Sequence, residues 1–152
     1  MFPALFWIAA LYDGVLGIAF LGWQDAIFDY FETTPPNHPG YVHFAAGILL
    51  TFTALFAQIA TNPRRYRDLI PYGMLLKVCY CGTVFGHWAL QGIPDMWQPF
   101  AFADLIFLVL FWWAWDALGR DEAPAFAGNS LKVQNQNSNS GQGKNKKKNK
   151  KK

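Results

Sequence analysis

Four apolar runs, at about 3–23, 41–60, 69–90 and 99–118, dominate the chain, and each is close to the roughly 20 residues an α-helix needs to cross a hydrocarbon core of about 30 Å. Charge and proline collect in the stretches between them. "QDAIFDYFETTPPNHPG" carries Asp25, Asp29, Glu32 and three prolines, "TNPRRYRD" carries three arginines, and "QGIPDMWQ" is a short polar turn. Such segments leave backbone groups that lipid cannot satisfy, so they belong outside the hydrocarbon. The expected fold is therefore all-α: a four-helix transmembrane bundle over residues 1–119, followed by a tail over 120–152. A cleaved signal peptide would need a positive segment ahead of a shorter apolar core. The first charge here is Asp13, inside the run, so the first run is expected to be a span.

Orientation follows from the basic residues, because short loops rich in Lys and Arg stay on the cytoplasmic side. Arg64, Arg65 and Arg67 lie between the second and third spans, and Arg120 and the lysines follow the fourth. The other two loops hold no Lys or Arg, so both termini are expected in the cytoplasm. The tail is rich in Asn, Gln, Ser and Gly and ends in seven lysines within nine residues. Nothing in it can bury a core, and the expectation is disorder. Lys146, Lys147, Lys148, Lys150, Lys151 and Lys152 would be drawn to anionic lipid at the cytoplasmic surface. No aromatics are interleaved with them to stack on bases, which argues against a nucleic-acid partner. The lipid bilayer is the expected surrounding, with a membrane protein or a second copy as partner.

Several polar residues fall inside the spans, where charge is costly and normally turns toward the bundle to find a partner. Asp13 and Lys77 match in depth within a turn and form the natural ion pair, although Lys77 could instead reach the interface along its stem. His43, His87 and Asp104 fall together in the outer third. Three readings stand for that group: hydrogen bonds that fix helix register; a proton or ligand site continued by Asp13 and Lys77; or a haem or metal site on His43 and His87, with Asp104 as a further metal ligand. In the second span His43, Gly47, Thr51, Ala54 and Gln58 form a small and polar stripe at helical spacing, expected to face other helices. Asp116 ends the fourth span and is expected to reach interfacial water. "LYDG" in the first span and "CYCG" in the third share Tyr and Gly, a hint of two related hairpins.

Cys79 and Cys81 point about 200° apart on a helix and are expected to stay free and unreactive. No CxxC redox pair, GxGxxG, P-loop or GxSxG is present, so no catalytic residues are assigned. The segments "LYDGVLGIAF", "TNPRRYRDLIPYG" and "FADLIFLVLF", with an acid inside the first span and an Asp opening the last, resemble the small bacterial four-helix membrane proteins grouped around the DoxX-like families. The resemblance covers about residues 1–118. It implies a multi-pass protein of the bacterial inner membrane, sometimes an accessory subunit of quinone-linked redox or detoxifying systems. Lys77, His87 and the lysine tail depart from it. The expected function is thus a non-catalytic or accessory protein that binds a small ligand or handles protons and carries no cofactor. The alternative is a redox subunit holding haem, quinone or a metal near His43 and His87.

Overall fold

A computed structural model describes residues 2–120 of the 152-residue chain. The lysine tail and its expected lipid contacts lie outside the described residues. The chain divides into Met1–Asp116 and Ala117–Lys152, and the helix contacts that build the bundle lie within the first of these units. Among the described residues every regular element is helical. Helix α1 spans Phe2–Gly22, α2 Gln24–Tyr30, α3 Gly40–Thr61 and α4 Ile70–Leu90; α5 runs over 98–120. Single 3-10 turns, Arg67–Leu69 and Asp95–Trp97, lead into α4 and α5. Four of the helices are long and apolar enough to cross a membrane. Their boundaries fall where charge and proline interrupt the apolar runs.

The surface of these helices is the reverse of a water-soluble one. Trp7, Ile8, Leu11, Val15 and Ile18 on α1 are all exposed, as are Leu105, Ile106, Val109, Trp112 and Trp113 on α5. Among the described residues, the buried faces hold small residues, rings and three ionisable groups, Asp13, Lys77 and Asp104. That distribution suits a bundle in lipid, where burial of apolar area no longer drives helices together and close packing does.

Helix α1 packs along α3 through glycine. A Cβ at Gly17 would lie 2.9 Å from the side chain of Leu50 and 3.1 Å from the carbonyl oxygen of Ala46, and one at Gly14 would lie 3.2 Å from Thr53. The Ala46 contact is backbone, so it cannot yield by a rotamer change. Gly17→Val is therefore expected to push α1 off α3 and to cost about 1–3 kcal/mol, the usual range for overpacking. Gly22→Ala, where a Cβ meets nothing within 4 Å, is the matched control. Unfolding of both variants in mixed micelles checks this, and equal stability would refute the contact.

The face of α3 turned to α1 differs from the expected stripe. His43, Thr51, Ala54 and Gln58 are exposed, and the buried positions are Ala46, Phe56, Ile59 and Ala60. The reason is local. A threonine hydroxyl in a helix can donate to the carbonyl four residues back, as Thr51 does to Gly47 at 3.0 Å, so it needs no neighbouring helix.

The two ends of the bundle are closed differently. Toward the arginine turn, Phe6, Phe56 and Phe111 are fully buried, with ring centroids 5.0 Å apart for Phe6 and Phe111 and 5.1 Å for Phe56 and Phe111. Arg67 donates through Nε to the Trp115 carbonyl oxygen at 2.9 Å and lies over the Trp115 ring, tying the turn to α5. At the opposite end α2 folds back, and Phe28 joins Phe20, Ala46 and Met96 in a small apolar cluster with Trp97 against it. Trp23, Tyr30 and Phe31 remain exposed there, the amphipathic pattern expected of an interfacial segment.

Candidate functional site

Lys77 is fully buried on α4, and its Nζ donates to Asp13 Oδ1 at 2.7 Å. The same Nζ lies 2.9 Å from Asp104 Oδ1 and forms a second ion pair. Three helices thus meet at one ammonium. The residues that place them follow from the packing just described. Asp13 precedes Gly14, where α1 and α3 approach closely, and Asp104 and Phe111 lie on the buried face of α5. Rings fill the rest of the space around Nζ, with Tyr12, Phe107 and Phe56 centroids at 5.3, 5.6 and 5.8 Å. A desolvated ammonium gains from ring faces as well as from carboxylates.

The arrangement is unbalanced. One ammonium faces two carboxylates, a formal charge of one negative in a buried site. Hydrogen bonding is also incomplete, since Asp13 Oδ2 and the Tyr12 hydroxyl are buried and without a hydrogen-bond partner. Buried polar atoms of this kind are costly unless something satisfies them.

A cavity of about 670 Å³ adjoins these groups. Its deep end is formed by Tyr12, Asp13, Asp104 and Tyr80, and its body is apolar, with Phe20, Phe28, Trp97 and Phe100 among the walls. Tyr80 donates to the Trp97 carbonyl oxygen at 3.2 Å, which fixes one wall. Tyr12 and Tyr80, the matching tyrosines of "LYDG" and "CYCG", both border it. The exposed lining residues mark the mouth: Tyr41 and Ala45 on α3, Cys79 and Thr83 on α4, Thr34 and Pro36 in the loop before α3, and Pro94 in the loop after α4. The cavity therefore opens between α3 and α4 at the end away from the arginine turn. Lys77 does not border it.

The outer group expected from depth is not assembled. His43 and His87 are both exposed, and Asp104 belongs to Lys77. Among the described residues no three His, Cys, Asp or Glu side chains come together in a way that could hold a metal ion. Depth along the helix axis located the Cα atoms, whereas the four-carbon stem of Lys77 carries its charge to where Asp104 lies. Cys79 is exposed and Cys81 buried, both free, with Cys81 Sγ 3.4 Å from the Ala101 carbonyl oxygen. Tyr12, Tyr80 and the aromatic walls carried no signal in the sequence that set them apart from packing residues. The two tyrosines stood out only through the match of "LYDG" with "CYCG".

Comparison with family models, with curated proteins and with solved structures gives no match.

Proposed function

We propose that this is a non-catalytic multi-pass membrane protein that takes a small lipophilic molecule from the bilayer and holds it in the cavity between α3 and α4. The observation that carries the reading is an apolar cavity of about 670 Å³ whose lining includes Tyr12, Tyr80 and Asp104. That volume is within the range of about 300–1,000 Å³ usual for small-molecule sites, and an apolar wall with a few convergent polar groups is their usual lining. The mouth on the α3 and α4 surface suits entry from lipid. A proton path across the whole bundle has less support, because Phe6, Phe56 and Phe111 occupy the next layer toward the arginine turn.

The test is equilibrium binding of 4-phenylbutanol to the full chain in nanodiscs, against empty nanodiscs. Saturable binding is expected, reduced about tenfold or more in Thr83→Trp, which fills the mouth from an exposed position. Uptake equal to that of empty nanodiscs would overturn the reading. In the membrane we place the arginine turn and both termini in the cytoplasm, so the mouth lies toward the outer side. A single cysteine at position 65 in a cysteine-free chain is expected to resist membrane-impermeant maleimide added outside intact cells. Labelling there would reverse the orientation.

A further inference from the structure

The charge of the site selects among lipophilic molecules. Of the residues bordering the cavity, the charged ones are Asp13 and Asp104, and none is Lys or Arg. The single nearby cation is withdrawn: Lys77 has side-chain exposure of 1% and is enclosed by the two carboxylates and three rings. Asp13 is as enclosed as Lys77, with side-chain exposure of 0%, so the charged group that a molecule in the cavity meets is Asp104, with side-chain exposure of 8%. Asp13 Oδ2 is buried without a hydrogen-bond partner, and Lys77 Nζ holds Asp104 Oδ1 at 2.9 Å. One ammonium is shared between two carboxylates, and the formal negative charge left over favours a further cation at Asp104.

The walls add a second preference. Tyr12, Phe20, Phe28, Tyr80, Trp97 and Phe100 surround the space, and ring faces attract a cation passing or resting against them. The Asp104 carboxylate at the deep end, the surplus negative charge and the aromatic walls favour the same ligand chemistry. An anion would face Asp104 with no basic group on its side, and a neutral alcohol could donate to Asp104 but would leave the charge.

We infer that the cavity is a site for lipophilic ammonium compounds, whose protonated nitrogen pairs with Asp104 while the apolar body lies against the aromatic walls. This rests on the ligand-binding reading above. The nitrogen completes the triad: two carboxylates are then matched by two ammonium groups, one from Lys77 and one from the ligand. Hydrogen bonds between ionised partners are roughly twice as strong as neutral ones, so the head group dominates selectivity among molecules of one shape.

Three probes share a body and differ in the head: 4-phenylbutylammonium, 4-phenylbutanol and 4-phenylbutyrate. Binding to the full chain in nanodiscs of zwitterionic lipid, corrected for partition into empty nanodiscs, is expected to favour the ammonium over the alcohol by about tenfold or more. The carboxylate is expected to bind weakest. Asp104→Asn provides the decisive variant, because it leaves the Asp13 to Lys77 hydrogen bond in place and makes the site formally neutral. In that variant the preference for ammonium over alcohol should collapse toward equality while alcohol binding persists. Persistent alcohol binding also shows that the variant is folded. Equal binding of ammonium and alcohol by the unaltered chain would overturn the inference and leave the ligand-binding reading standing. An unchanged ammonium preference in Asp104→Asn would also overturn it. Failure of all three probes to bind would remove both.

Discussion

Lys77→Met is expected to be the most damaging single substitution in the bundle, with a loss of about 3–5 kcal/mol, the range for removing one partner of a buried ion pair. The cost arises from what is left behind. Without the ammonium, Asp13 and Asp104 face each other, buried and uncompensated, at the junction of three helices. The variant is expected to accumulate poorly and to unfold at lower denaturant in mixed micelles. Neutralising the remaining partners should restore much of the loss. The presence of two carboxylates makes the form of that rescue specific. Asp13→Asn with Lys77→Met still strands Asp104, so the double variant should recover less than the triple variant that adds Asp104→Asn. Additive losses across the three positions would contradict a shared ion cluster. Full recovery in the double variant would mean that Asp104 is not part of it.

Gly73→Leu is expected to be nearly as severe, for a steric reason. Gly73 lies one helical turn before Lys77 on the same face of α4, and it is where α4 meets the Phe56 ring of α3. Even a Cβ there collides with the Phe56 ring and comes to 3.4 Å from Phe111. Both rings are fully buried, so neither can swing into open space. Gly73→Ala should cost about 1–3 kcal/mol, and Gly73→Leu more, since it inserts a whole side chain into a filled layer. The consequence extends to the site. Phe56 is also one of the rings around the Lys77 ammonium, so displacing it loosens the support of the triad. Loss of 4-phenylbutanol binding in Gly73→Ala, beyond its loss of stability, checks that link. Gly82→Ala, on the same helix with open space around it, is expected to change neither.

The four spans and their approximate ends were readable in the sequence, because length and composition alone decide whether a helix suits lipid, and the loops announce themselves by proline and charge. The pairing of Asp13 with Lys77 was readable for a similar reason: two opposite charges at nearly equal depth have few other ways to escape hydrocarbon. Asp104 was placed with His43 and His87 instead, since depth counts residues along an axis and says nothing of helix rotation or of how far a long side chain reaches. Rotation likewise decided which face of α3 meets α1. A stripe of small and polar residues does not reveal its direction when threonine can satisfy itself on its own helix. The cavity left no trace in the sequence. It exists because α1 and α3 close tightly through Gly14 and Gly17 while the mouth between α3 and α4 stays open, and the gap is a property of four helices together. Sequence alone therefore determined that the chain builds a lipid-suited bundle with charge inside it. Only the tertiary structure decided that the charge gathers into one unbalanced triad beside an open aromatic cavity, because that depends on relative rotation and spacing, which no single helix specifies.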